Sequence, residues 1–336
     1  MKFLFCGLGS IGQQHLNNLL KMGEKDIIAY RTTTQPLRFV RQEIKTFSDF
    51  GDAIKQKPDV AFITNPSSLH IDLANKLAQA DCHLFIEKPL SDSTEGVKKL
   101  QEIVRQKELI VQIGFMHRYH PAFIRIKKIL KNKIIGNPVY SRVIWGEFLP
   151  NWHPWENYKK SYAANKELGG GPINTLCHDL DILYWYFGLP TCVIALNGKK
   201  SLTGVNTEDN VEILMKYSSN TLAEIHLDYI LDPPKRYWEI VGDKGRIELD
   251  FFANKLYIFN KNKKEDQPRK QVIDYSKGFN RNNMFYDEVK EFIDKVKNKK
   301  HPSISLEDGI ANLRLLLATH DSIKYKRIID MDSVIV

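Results

Sequence analysis

Lys88 and His178 stand in surroundings suited to moving a proton to or from a substrate oxygen. Lys88 closes the apolar run Leu84-Phe85-Ile86, with Glu87 before it and Pro89 after it. Burial at a strand end can tune its ammonium group to donate to such an oxygen. An isolated lysine is also an ordinary surface residue, and the stiff neighbours at a strand end are what mark this one as a site. His178 follows Gly169-Gly170-Gly171-Pro172 in a helical stretch whose apolar stripe is Ile173, Leu176, Cys177, Leu180, Tyr184 and Phe187, and it lies off that stripe. Thr175 precedes it by one turn and Asp181 follows it by one, so polar neighbours can hold the imidazole for proton transfer near neutral pH. A core-edge histidine satisfied by Asp181 fits the same spacing, and both readings stay open. Hydride transfer from a carbinol requires the hydroxyl proton to leave as the C–H bond breaks, for which a lysine and a histidine suffice without a metal.

Such residues need a hydride carrier and a frame. Up to about residue 120, strand-like runs near 2–6, 27–30, 60–64, 83–87 and 110–114 alternate with amphipathic helical stretches, which predicts a doubly wound parallel sheet. Val60-Ala61-Phe62-Ile63 and Leu84-Phe85-Ile86 are apolar throughout, as strands covered on both sides must be. Gly7-Leu8-Gly9-Ser10-Ile11-Gly12 follows the first strand and opens a helix, the context in which this glycine spacing signals a dinucleotide. Gly7 permits the tight turn, Gly9 lets the backbone approach a pyrophosphate, Gly12 allows close helix packing, and the helix start at Ser10 and Ile11 presents free N–H groups. A tight turn without a ligand is the alternative.

Where NAD-binding versions carry an acid after the second strand, this chain reads Tyr30-Arg31-Thr32-Thr33-Thr34. A guanidinium and hydroxyls there favour NADP over NAD, although an arginine also stacks on adenine or sits in solvent. The other strand ends, Thr64-Asn65-Pro66, Glu87-Lys88-Pro89 and Gly114-Phe115-Met116-His117, are expected to line the same crevice, each proline holding the residue before it extended.

Beyond a helix at about 120–131, strand-like segments near 138–147, 191–198, 210–217, 222–230, 237–242, 245–251 and 255–260 follow one another closely. They predict an open, mostly antiparallel sheet with helices on one face. Ala223, Ile225, Leu227 and Tyr229 alternate with Glu224, His226 and Asp228, so one face packs inward and the other is polar. Helical periodicity returns at Phe285–Val296 and Ser305–Tyr325, with Leu306-Glu307-Asp308 opening the last helix. The fold class is therefore α/β plus α+β, with a dinucleotide domain at 1–118 and a substrate and oligomerisation domain at 119–336 whose last helices are able to pack back on the first. The run Trp145-Gly146-Glu147-Phe148-Leu149-Pro150-Asn151-Trp152-His153-Pro154-Trp155 mixes rings with donors and suits either stacking on a sugar or packing between domains.

Composition narrows the classes. A chain of 336 residues, 43% hydrophobic, has room for two domains. The formal charge of +9, from 49 Lys and Arg against 40 acids, reads as a solvated basic surface, since runs such as Lys261-Asn262-Lys263-Lys264 lie in polar turns. Without a zinc-finger, RNA-binding or basic-zipper signature, nucleic acid is not expected as a partner. No stretch approaches the roughly 20 apolar residues of a membrane helix. Met1 leads directly into Phe3-Leu4-Phe5-Cys6, so no membrane partner and a cytoplasmic location are expected. Cys6, Cys82, Cys177 and Cys192 show no paired spacing, and neither disulfides nor zinc are indicated.

Taken together, these motifs resemble the glucose-fructose oxidoreductase, inositol dehydrogenase and MocA family over nearly the whole chain. The resemblance rests on Gly7 to Gly12, Asn65-Pro66 with His70 following, Glu87-Lys88-Pro89, Arg118 with His120-Pro121, Gly169-Gly170-Gly171 leading to His178 and Asp181, and Leu306-Glu307-Asp308-Gly309. It implies an N-terminal Rossmann domain and a C-terminal open sheet that carries substrate and assembles a homodimer or homotetramer, with Lys88 and His178 catalytic. The implied cofactor contacts are Gly7, Gly9, Ser10, Ile11, Gly12, Arg31, Thr32, Thr64, Asn65, Pro66, His70, Glu87, Lys88 and Gly114. The implied substrate contacts are Lys88, Arg118, Tyr119, Trp152, Asn174, Thr175 and His178. Many members carry an aspartate where Thr175 stands here, so either His178 works with Lys88 alone or Thr175 passes the proton. The expected activity is oxidation of a secondary alcohol, or reduction of the ketone, on a sugar, cyclitol or nucleotide-linked sugar, with NADP or NAD. Redox-neutral glycoside cleavage on a bound cofactor and a non-catalytic NADP-binding sensor are the alternatives.

Overall fold

The apolar tetrapeptide Phe3-Leu4-Phe5-Cys6 forms β1 (Phe3–Cys6) with every side chain buried, as a strand covered on both faces requires. The computed structural model describes all residues except 33–36, 39, 41–42, 153, 155, 199–202 and 262–268. After β1 come α1 (Ser10–Lys21), β2 (Ile27–Tyr30), β3 (Lys45–Phe47), α2 (Phe50–Ile54), β4 (Val60–Ile63), α3 (His70–Gln79), β5 (His83–Glu87), α4 (Val97–Gln106) and β6 (Val111–Gly114). These strands form one parallel sheet in the order β3-β2-β1-β4-β5-β6. The order reverses between β1 and β4, the place where a doubly wound sheet opens its ligand crevice beyond the carboxyl ends of its strands. The expected strands all form. Strand β3 was not foreseen, because Lys45-Thr46-Phe47 is short and exposed at the sheet edge.

The chain continues through α5 (Pro121–Lys131), β7 (Pro138–Gly146), α6 (Pro172–Thr175), α7 (His178–Phe187), β8 (Cys192–Gly198), β9 (Asn210–Lys216), β10 (Leu222–Asp228), β11 (Lys235–Gly242), β12 (Gly245–Asp250), β13 (Lys255–Asn260) and β14 (Arg269–Asp274). It ends in α8 (Arg281–Asn298), α9 (Leu306–Tyr325) and β15 (Ile329–Asp330). The second sheet has the order β14-β13-β12-β11-β7-β10-β9-β8-β15. All its pairs are antiparallel except β7 with β10, whose parallel register is permitted by the long connection from 147 to 221.

One helix differs from the sequence reading. The apolar stripe from Ile173 to Phe187 predicts a continuous helix, whereas the backbone leaves helical geometry at Leu176, with φ −97° and ψ 20°, and restarts at His178. The restart puts Asp179 and Asp181 in the first turn of α7, where carboxylates meet the positive end of the helix.

The chain divides into two compact units, Met1–Met116 with Arg281–Leu313 and Val336, and His117–Asn280 with Arg314–Ile335. In the first, the rings of Phe5 and Phe62 stack at 4.8 Å and those of Phe62 and Phe85 at 5.0 Å, while Phe292 of α8 meets Phe62 and Phe85 edge-on. Each buried phenylalanine is worth about 1.5–3 kcal/mol, which holds α8 on the parallel sheet. In the second, Val211, Ile213, Ala223, Ile225, Trp238 and Ile240 are buried, while Glu212, Leu214, Glu224 and Glu248 point to the other face. No described helix is long and apolar enough to cross a membrane.

Candidate active site

The glycine turn is shaped by the residues that follow β4. Gly7 has φ +95°, and a Cβ there would stand 3.0 Å from the Asn65 nitrogen. A Cβ on Gly12 would lie 2.5 Å from the Gly7 oxygen and 2.7 Å from Thr64 Oγ1, and that Thr64 hydroxyl donates to the Gly7 carbonyl at 2.6 Å. Thr64 thus closes the turn that the glycines open. At Gly9 an added Cβ would meet nothing within 4 Å, which leaves room for a ligand to reach the backbone. Helix α1 begins at Ser10 with no side-chain cap and no acid in its first turn, so its leading N–H groups are available to an anion. This cradle fits a dinucleotide. Arg31 is half-buried and its backbone N–H continues the sheet edge by donating to the Phe47 carbonyl at 2.9 Å; Thr32 is exposed. Thr33 and Thr34 lie outside the described residues.

Glu87 and His70 support the crevice from inside. The Glu87 carboxylate, 7% exposed, takes a hydrogen bond from His15 Nε2 at 2.6 Å and one from the Lys88 backbone N–H at 3.2 Å. It lies against Gly114, where a Cβ would come within 2.9 Å of Glu87 Oε1. Sequence reasoning missed His15. Its only signal was a polar residue three positions after Gly12 on a helix that must face the sheet. His70 is 1% exposed, with Nδ1 2.9 Å from the Pro89 oxygen and Nε2 2.8 Å from the Asn65 oxygen, so it ties the ends of β4 and β5 together. Lys88 therefore sits on a backbone held from both sides.

The second unit gathers the residues around His178. The His178 ring lies 4.2 Å from that of His117 between centroids and stacks on Trp145 at 6.1 Å. Asp181 is not reserved for it: Arg118 donates to Asp181 through Nε at 2.9 Å and Nη2 at 2.6 Å, both residues being buried. The arginine expected to meet substrate is thus half of a bidentate ion pair under α7. Arg236, which sequence reasoning missed, pairs in the same way with Asp179, and its guanidinium is sandwiched 3.8 Å from the Trp145 ring and 4.2 Å from the Phe251 ring.

At the glycine run, the Thr175 hydroxyl donates to the Gly171 carbonyl at 2.6 Å and also meets the Tyr229 hydroxyl. Burial pushes the Tyr229 phenol well above its ordinary value, so it stays protonated. Trp152 packs edge-on against Tyr229 at 5.4 Å. Its buried indole nitrogen has no hydrogen-bond partner among the described residues. Asn174 donates to the Gly169 oxygen at 3.1 Å and accepts from His320 at 3.1 Å. Burial lowers His320 to about 4, so that histidine is neutral near pH 7. Of the expected substrate residues, Thr175, Asn174 and Trp152 therefore cluster at one end of the glycine run, Arg118 is withdrawn into its ion pair, and Tyr119 is half-buried. His153 and Trp155 lie outside the described residues.

Comparison with known proteins places these features in context. Residues 1–115 match a family model described as "Oxidoreductase family, NAD-binding Rossmann fold", and residues 127–331 match "Oxidoreductase family, C-terminal alpha/beta domain". The chain is 23% identical to myo-inositol 2-dehydrogenase of Thermotoga maritima over 351 residues, covering 100% of each protein. It is 28% identical to scyllo-inositol 2-dehydrogenase (NAD(+)) of Bacillus subtilis over 204 residues, 57% of this chain and 56% of that protein. Among solved structures it is similar in fold to myo-inositol 2-dehydrogenase of Lactobacillus plantarum, with a TM-score of 0.81 at 22% identity over 98% of this chain and 99% of the other. It is also similar to a levoglucosan dehydrogenase in complex with NADH and levoglucosan, with a TM-score of 0.85 at 18% identity over 98% and 99%.

Proposed function

The chain belongs to the glucose-fructose oxidoreductase, inositol dehydrogenase and MocA family of oxidoreductases, and from that premise we propose that it oxidises a secondary alcohol of a cyclitol or sugar, or reduces the matching ketone. The observation that carries this is the cradle at Gly7, Gly9 and Gly12, closed by Thr64 where the strand order reverses. A dinucleotide whose pyrophosphate is held by this turn would supply or accept the hydride at the carbinol carbon through its nicotinamide. Lys88 is the group that donates to the substrate oxygen, and His178 is the base that takes up the hydroxyl proton or returns it. Thr175, backed by Tyr229, and the buried indole of Trp152 orient the substrate hydroxyls. The names of the inositol dehydrogenases and of levoglucosan dehydrogenase support a neutral polyol or sugar as substrate.

We further propose a preference for NADP, carried by Arg31 in the place where an acid would hold the ribose hydroxyls of NAD. Calorimetry with NADPH, NADP, NADH and NAD is expected to show tighter binding of the phosphorylated pair. Arg31→Ala should remove most of that advantage, since a charge-assisted bond is worth about 1.5–3 kcal/mol. Tighter NADH binding that Arg31→Ala leaves unchanged would assign the site to NAD.

The open face of the second sheet is our candidate for subunit assembly. Ile194, Leu214, Glu224, Arg142 and Glu239 are successive register partners across β8, β9, β10, β7 and β11. Ile194, Leu196, Leu214 and Leu222 are exposed on that face beside the Arg142–Glu224 ion pair. His226 is held up to about 9 chiefly by its bond to Asp228, with Glu212 on its other nitrogen. An apolar patch rimmed by paired charges is the composition of an interface. Light scattering at micromolar concentration is expected to give a dimer or tetramer, and monomer alone would refute the assembly.

A further inference from the structure

We infer that His70 is a positioning residue, a clasp that joins the strand ends on either side of Lys88 and whose protonation sets how firmly the crevice grips a dinucleotide. The inference rests on the dinucleotide reading above. Nδ1 is 2.9 Å from the Pro89 oxygen and Nε2 is 2.8 Å from the Asn65 oxygen, both backbone carbonyls that can only accept. A neutral imidazole carries one N–H and one lone pair, so it can bond one carbonyl while its lone pair is pressed against the other. The imidazolium carries two N–H groups and satisfies both.

The ring opens α3 and is almost wholly buried, so water cannot supply the missing donor from outside. Burial is the largest influence on its proton and favours the neutral ring, moving its titration to the acid side of an ordinary histidine. The two carbonyls, Glu87 and Asp92 act in the opposite sense. Glu87 is itself bonded to His15 of α1. As pH rises through this titration, one of the two carbonyls loses its donor, and Asn65 is no longer tied to Pro89. Asn65 adjoins Gly7, whose missing Cβ leaves only 3.0 Å to its nitrogen, so slack at Asn65 is slack in the glycine turn.

The test measures NADPH and NADH binding by fluorescence from pH 5 to pH 8 in the wild type, His70→Gln and His70→Ala. Hydrogen exchange is followed in parallel over residues 64–70 and 87–91 without cofactor. The loss of one net hydrogen bond, about 0.5–1.5 kcal/mol, corresponds to a two- to tenfold weaker Kd on the alkaline side for the wild type. Glutamine does not titrate in this range, so His70→Gln should bind with no such step. His70→Ala should exchange faster than the wild type in both segments together. A step of equal size in His70→Gln, or exchange in His70→Ala indistinguishable from the wild type, would overturn the clasp. Faster exchange in His70→Ala with no NADPH or NADH binding by any protein would uphold the clasp and instead refute the dinucleotide reading.

Discussion

Lys88→Met is expected to lower kcat/KM by about a hundred- to ten-thousandfold, the usual worth of a positioned proton donor, and to leave dinucleotide binding unchanged. Methionine keeps most of the lysine stem and removes only the ammonium group. The backbone at this position is held by contacts that do not involve the lysine side chain: the Lys88 N–H donates to Glu87, Glu87 is bonded to His15, and the Pro89 oxygen faces His70. The crevice should therefore survive the substitution. Calorimetry with the dinucleotide separates the two effects. Retained turnover would remove Lys88 from the chemistry, and loss of binding along with turnover would show that the side chain holds the dinucleotide or supports the fold instead.

Arg236→Met is expected to cost about 3–5 kcal/mol of stability, because it leaves the Asp179 carboxylate buried without its partner. Arg236 is 2% exposed, and besides the ion pair it loses its contacts with the Trp145 and Phe251 faces. The double replacement Arg236→Met with Asp179→Asn removes both charges and should recover a large part of the loss. All five tryptophans fall between residues 117 and 280, so tryptophan fluorescence during urea unfolding reports on the second unit alone. A single variant as stable as the wild type would mean that water or another group takes over the carboxylate. Because Asp179 adjoins His178, the same variant should also lose activity under conditions where it stays folded.

The crevice around Lys88 and the ion pair of Arg236 were unequally visible in the sequence. The glycine turn, the strand ends at Asn65-Pro66 and Glu87-Lys88-Pro89, and the hairpins from Lys235 to Asn260 were legible because local spacing alone decides them. Thr64 was legible as a lining residue, but its hydroxyl bond across to Gly7 depends on the pairing of β1 with β4. Arg236 was hidden for a related reason. The apolar alternation that marks β11 begins at Tyr237, and only the register that sets Arg236 beside Trp145 places its guanidinium in the core. Its partner Asp179 is 57 positions away on a helix whose start the apolar stripe put too early. His15 was hidden by the same kind of distance, 72 positions from Glu87. What escaped was in each case a tertiary pairing between polar residues, for which local periodicity carries no signal.

The most direct test is to follow nicotinamide absorbance with either dinucleotide across a panel of cyclitols, sugars and nucleotide-linked sugars. A substrate-dependent net gain or loss of reduced nicotinamide, abolished in Lys88→Met, is the expected result. Tight dinucleotide binding with constant absorbance on every substrate would contradict a dehydrogenase and leave redox-neutral cleavage or sensing as the function of the site.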